Sequence, residues 1–225
     1  MDSQDKQRLV LERDYDAVLF DMDGTLLDSR VVVERVWREW AVSRGLDVAE
    51  VQRVSHGCRQ IDVVRQFAKE DWDCEAEAAF IAREEEADVE GIVALPGALE
   101  LVKSLPTDRW AIVTSANREL ALRRLEAAGL PIPDVFITAE RVSKGKPDPE
   151  GYQKAAELLG VKSQDCIVFE DAPAGLEAGR RAGGDVVAIT GAVPHPFETK
   201  CQELENYTKL AIKVNGVMIR PAAVR

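Results

Sequence analysis

The chain has 225 residues, enough for one large α/β domain or for a core with a small accessory domain. A formal charge of -11 argues against nucleic acid or an anionic membrane as partners, so an anionic substrate has to be drawn in by a local cationic site. With only 2 histidines, His56 and His195, a histidine-based metal site is not expected.

No apolar run is long enough to span a bilayer, and residues 1–8 lack a signal-peptide core. Cys58, Cys74, Cys166 and Cys201 are scattered and form no zinc-type pair, so free thiols in a reducing cytoplasm are expected.

In chain order, residues 1–14 read as a charged leader, frayed or forming a short extra turn. Ala17 to Phe20 is an apolar run of the kind found in strands buried on both faces of a parallel sheet. Asp21 and Asp23 follow at once, and Gly24 allows a sharp turn. From Val31 to about Leu95 no strand is expected. Val33, Val36, Trp37, Trp40 and Ala41 fall at helical spacing, then Ile61, Val64, Phe67 and Ala68, then residues 76–89. This block reads as a helical bundle inserted after the first strand, with Trp37 and Trp40 in its core.

Regular alternation then resumes. Helices are predicted over 97–105, 118–128, 149–159 and 174–182, and strands over 110–114, 135–137, 166–169 and 185–189. Such alternation implies an α/β fold with a doubly wound parallel sheet. Asn215-Gly216 between two apolar runs predicts a terminal hairpin at the sheet edge.

Four polar clusters fall at or just after strand ends: Asp21 with Asp23, Thr114-Ser115-Ala116-Asn117, Lys144 to Pro149, and Glu170-Asp171. Each has a plain structural reading alone: an Asp-Gly turn, a helix cap, a solvated lysine and a surface acidic pair. Together they would be gathered by a parallel sheet into one cleft at its carboxyl edge. Two acids as close as Asp21 and Asp23 repel unless a cation or a proton intervenes, and a hard, oxygen-seeking ion such as Mg²⁺ meets that need.

The series Asp21-Met22-Asp23-Gly24-Thr25, Thr114-Ser115, Lys146-Pro147 and Glu170-Asp171 resembles the four motifs of the haloacid dehalogenase (HAD) superfamily, in order. The resemblance covers about residues 15–215 and implies a Rossmann-like core, residues 1–29 and 96–225, with a helical cap over 30–95 that sets substrate specificity. Residues 137–142 and 169–175 are similar to the small sugar-phosphate and polyol-phosphate phosphatases of that superfamily, and the short segment 55–59 is similar to its glycerol-phosphate and 2-deoxyglucose-6-phosphate phosphatases. It implies a Mg²⁺-dependent phosphatase acting on a small phosphorylated sugar or polyol. Asp21 would be the nucleophile, Asp23 the acid and base, and Lys146 the charge-neutralising group. Thr114, Ser115 and Ala116 would hold the phosphoryl group. The metal would be held by Asp21, Asp23 through its carbonyl, and Asp171, with Glu170 nearby or acting through water. His56 and Arg59 of the cap would reach the substrate, or else belong to a solvated loop.

A β-phosphoglucomutase-like phosphomutase shares these motifs, but Thr25 is similar to the phosphatases where such mutases commonly carry valine. A dehalogenase would leave Asp23 without a task. A phosphonate hydrolase would need a cap lysine, and Lys69 sits within a helical run. A non-catalytic binding module would be expected to have lost a motif residue, and none is missing. A monomer is expected. Pro173, Gly175 and Gly183-Gly184 read as helix start and stop signals without chemistry.

Overall fold

The computed structural model describes residues 9–55, 57–192 and 197–219. Its centre is a six-stranded sheet, every pair parallel, in the order β6-β5-β2-β7-β8-β9. The strands are β2 (Ala17–Phe20), β5 (Trp110–Val113), β6 (Val135–Ile137), β7 (Cys166–Glu170), β8 (Asp185–Ile189) and β9 (Gln202–Leu204). Side chains alternate across it, so each strand feeds two cores. Ala17, Leu19, Val113 and Val168 pack on one face with Tyr152, Ala155 and Ala178. Val18, Phe20, Ile112 and Phe169 pack on the other. There the Phe20 and Phe169 rings stack at 5.3 Å, and Tyr207 meets both edge-on. Burial on both faces explains why these strands read as unbroken apolar runs.

The flanking helices are α5 (Ala98–Ser104), α6 (Arg118–Ala127), α7 (Glu150–Leu158) and α8 (Pro173–Ala182). They match the expected helices to within a residue or two. Asn117 caps α6 by accepting a hydrogen bond from the Leu120 amide at 2.8 Å, and Gly129 follows the helix end at φ +66.

Four helices lie between the first strand and the rest: α1 (Arg30–Arg44), α2 (Val48–Ser55), α3 (Gln60–Phe67) and α4 (Cys74–Ala87). Trp37 and Trp40 are buried and meet edge-on at 5.4 Å, as expected of bundle core. Arg35 on α1 pairs with Asp88 at the end of α4. The bundle is joined to the core by a two-stranded antiparallel ribbon of β3 (Leu27–Asp28) and β4 (Val93–Ala94).

Three expectations are corrected. The block to Leu95 does contain a strand, β4, whose two residues are too few to show a period. The leader includes β1 (Val10–Tyr15), with residues 1–8 outside the described part. Its charges hid it: Leu11 and Tyr15 are buried, but the ladder is irregular between Leu11 and Asp14, which breaks the alternation. The terminal hairpin forms, as β10 (Ala211–Val214) and β11 (Val217–Ile219), but not at the edge of the main sheet. It joins β1 in a separate sheet of order β1-β10-β11, while the main-sheet edges are β6 and β9, the latter a mostly polar strand with one buried residue, Leu204.

Candidate active site

β2 lies between β5 and β7, and their registers align Phe20 with Ile112 and with Phe169. Asp21, Thr114 and Asp171 each stand one residue past a strand and Glu170 ends β7, so all four lie at the same carboxyl edge. Lys146 arrives from the loop ahead of α7. The four clusters therefore converge, although they are far apart in the chain.

Asp21 is buried at the focus. Its Oδ1 accepts a hydrogen bond from Lys146 Nζ at 2.5 Å, and its Oδ2 is buried without a hydrogen-bond partner. Lys146 Nζ also donates to Glu170 Oε1 at 2.6 Å, and Tyr152 Oη donates to the same oxygen at 2.9 Å. Glu170 Oε2 accepts from the amides of Asp171 and Ala172 at 3.0 and 3.2 Å. The four acceptor sites of Glu170 are thereby filled, and its work in this arrangement is to hold Lys146.

Two glycines make this packing possible. Gly24 turns the chain at φ +80, and a Cβ there would lie 2.0 Å from Asp171 Oδ2. Gly175, within α8, would place a Cβ 1.7 Å from Glu170 Oε1. Gly175 is therefore more than a helix signal, because the carboxylate of Glu170 occupies the space that any side chain would need.

Oxygens of Asp21, Glu170 and Asp171 all lie within 4.8 Å of one another. Burial, then the charge of Glu170, pushes Asp21 up to about 8. Burial, then the charges of Asp21 and Glu170, holds Asp171 well above the ordinary carboxylate range. Burial works against the charge of Lys146, but the two carboxylates it touches outweigh that and keep it an ammonium. Three carboxylates against one ammonium leave a surplus of about two negative charges when all are ionised, in a cluster of hard oxygens with Asp21 Oδ2 unpartnered. With Glu170 taken up by its own hydrogen bonds, the oxygens of Asp21 and Asp171 are the ones that fit a small divalent cation.

Asp23 points to a second group of residues. Its Oδ1 accepts from Ser29 Oγ at 2.6 Å and pairs with Arg124 Nη1 at 2.9 Å. The Arg124 side chain is 4% exposed, and its Nη2 lies 3.4 Å from Glu85 Oε2 on α4. Gln60 Nε2 donates to that same oxygen at 2.8 Å. Sequence reasoning missed Ser29, Gln60, Glu85, Arg124 and Tyr152. A signal existed for two of them: Arg124 shares the buried face of α6 with Leu120, Ala121 and Leu125, and Glu85 follows buried Ile81 by one turn. Charged residues on an apolar face are almost never buried without a partner.

Thr114 is buried, and its Oγ1 accepts from the Ala116 amide at 3.1 Å, leaving its own proton free to donate. Ser115 Oγ donates to the Gly57 carbonyl of the helical insert at 2.9 Å. Thr114, Ser115 and Ala116 line a cleft of about 600 Å³, counting its open mouth, between sheet edge and helical insert, together with Asp21, Asp23 and Asp171. Arg59 is bound to Asp62 at 2.6 and 3.0 Å and lies against Gly145, lining a smaller neighbouring pocket beside Lys146. His56 lies outside the described residues.

The family model of haloacid dehalogenase-like hydrolases matches residues 15–183. The chain is 46% identical over 182 residues to Hexitol phosphatase A of Escherichia coli (strain K12), covering 79% of this chain and 84% of that protein. It is 37% identical over 188 residues to Glycerol-1-phosphate phosphohydrolase 2 of Saccharomyces cerevisiae, covering 77% and 74%. Among solved structures, a hydrolase from Pseudomonas syringae superposes with a TM-score of 0.74 at 25% identity, covering 88% of this chain and 94% of that one. With this match over most of its length and the four motif clusters brought together at one sheet edge, the chain belongs to the haloacid dehalogenase-like hydrolase family and is a hydrolase.

Proposed function

We propose that this chain is a phosphatase that hydrolyses monoesters of small polyols or sugars, by way of a phosphoryl group carried on Asp21. The observation that carries the proposal is the setting of Asp21: buried, oriented through one oxygen by Lys146, and two residues from Asp23 at the mouth of the cleft. The substrate class is supported by the relatives, one a hexitol phosphatase and one a glycerol-1-phosphate phosphohydrolase.

A carboxylate oxygen of Asp21 bonds to phosphorus while the bond from phosphorus to the ester oxygen breaks. Asp23, protonated for this step, gives its proton to the leaving oxygen. Now a carboxylate, Asp23 takes a proton from water as that water attacks phosphorus, which frees phosphate and restores Asp21. Acid–base help of this kind is worth about 10²–10⁴-fold. The Thr114 hydroxyl and the Ser115 amide donate to phosphoryl oxygens, and Lys146 offsets charge on Asp21 as phosphate approaches. Asp21 and Asp171, with Glu170 behind them and the Asp23 carbonyl alongside, would hold Mg²⁺, which supplies positive charge that lets an anionic carboxylate meet an anionic ester. The helical insert, residues 30–95, acts as the cap that covers the cleft, with Arg59 lining the smaller pocket beside Lys146. The free cysteines suit a reducing cytoplasm, where the enzyme works as a monomer. Among the described residues no helix is long and apolar enough to cross a membrane.

The test is phosphate release from polyol, hexose and nucleotide monophosphates, with Mg²⁺ and with chelator, in wild type and Asp21→Asn. Metal-dependent release lost in the variant is the expected result. Interconversion of β-glucose 1-phosphate and 6-phosphate without release would overturn it in favour of a phosphomutase.

A further inference from the structure

Arg124 carries unused hydrogen-bonding capacity in a place where that is costly. Its side chain is 96% buried, it lines the cleft, and both Nε and Nη2 lack a hydrogen-bond partner. The Nη2 nitrogen is within ion-pair range of Glu85 Oε2 but does not meet it in hydrogen-bond geometry. Glu85 is itself buried and oriented by Gln60, and both line the same cleft as Arg124 and Asp23. Buried donors without partners cost stability unless something supplies acceptors.

We propose that Arg124, Glu85 and Gln60 form the subsite that reads the hydroxyl groups of the leaving alcohol, and that it selects uncharged polyols over alcohols bearing a second anion. The inference rests on the phosphatase reading, since the leaving oxygen then departs beside Asp23, to which Arg124 is joined at 2.9 Å. A guanidinium with free N–H groups beside a carboxylate offers donors and acceptors side by side. Neighbouring hydroxyls, each both donor and acceptor, match that pattern. The local charge points the same way. Arg124 is already matched by Glu85 even when Asp23 carries its proton, and Arg30, the other cation at this cleft among the described residues, is engaged by Asp28 at 2.9 and 3.1 Å. A carboxylate or second phosphate on the alcohol would therefore find no unengaged cation here and would face the carboxylate of Glu85. Sites built to bind hydroxyls reject analogues lacking them far more strongly than apolar pockets discriminate.

The experiment compares kcat/KM for sorbitol 6-phosphate, for 6-phosphogluconate (the same carbon chain ending in a carboxylate) and for p-nitrophenyl phosphate, which has no hydroxyls to read. Wild type is expected to favour sorbitol 6-phosphate over 6-phosphogluconate by at least about tenfold. In Glu85→Gln the ratio of sorbitol 6-phosphate to p-nitrophenyl phosphate falls by about 10- to 100-fold, chiefly through KM, and the discrimination against 6-phosphogluconate narrows. Gln60→Met, at the half-buried first residue of α3, provides a second variant should Glu85→Gln fail to fold, with a smaller fall expected in the same direction. Both are checked by melting. An active wild type whose substrate ratios stay within twofold in the folded variants overturns the subsite and leaves the phosphatase reading standing. Equal turnover of 6-phosphogluconate and sorbitol 6-phosphate overturns the preference for neutral alcohols. A wild type that releases phosphate from none of the three overturns the phosphatase reading and this inference together.

Discussion

Asp21→Asn should abolish turnover and yet stabilise the metal-free protein at pH 8. Asp21 is held up to about 8 in the folded chain, chiefly by burial, whereas in the unfolded chain it returns to the ordinary range near 3.8. Between those values the unfolded chain has released a proton that the folded chain keeps. Stability is therefore fully present below about pH 4 and declines as pH rises towards 8. From pH 5 to 8 the limit is roughly 4 kcal/mol. Water entering the open cleft screens part of this, so about 2 kcal/mol is the working figure, or roughly 4–8 °C in Tm for a chain of this size. The assay is thermal melting with chelator at pH 5 and at pH 8. The variant should melt slightly above wild type at pH 5 and further above it at pH 8. Saturating Mg²⁺ should restore the balance, since a ligand at about 100 times its Kd adds roughly 3 kcal/mol to the form that binds it. An asparagine variant less stable than wild type at pH 8 without metal, or a difference that does not change with pH, would refute the charge reasoning.

Other changes test the supports of the site. Gly175→Ala, whose Cβ would fall 1.7 Å from Glu170 Oε1, should lower kcat/KM by at least about 100-fold and cost about 1–3 kcal/mol by melting. Tyr152→Phe removes a buried donor to Glu170 and should cost about 1.5–3 kcal/mol, read by denaturant titration, with KM changed less than kcat. Asn117→Ala loses both the cap of α6 and the 3.0 Å contact to Glu86 on α4; a loss of about 1 kcal/mol is expected from the cap. A melting temperature within 1 °C of wild type, roughly, would show that neither contact matters.

The buried strands were legible because a parallel sheet covered on both faces demands short apolar runs, and residues 17–20, 110–113 and 166–169 are such runs. The helices announced themselves through spacing, caps and glycines. Strand–helix alternation then implied parallel order, and parallel order implied that Asp21, Thr114 and Glu170 end at one edge. What escaped was whatever lacked a local signature. β1 is charged, β4 and β9 are too short or too polar to show a period, and the hairpin's choice of partner is a long-range event that no local pattern specifies. The space that Gly175 leaves for Glu170 is likewise set by another strand. The same holds for the join of Asp23 to Arg124 and Glu85. The apolar faces of α6 and α4 could mark Arg124 and Glu85 as buried charges, but which partners they find is decided only when α4 packs against α6 beside Asp23.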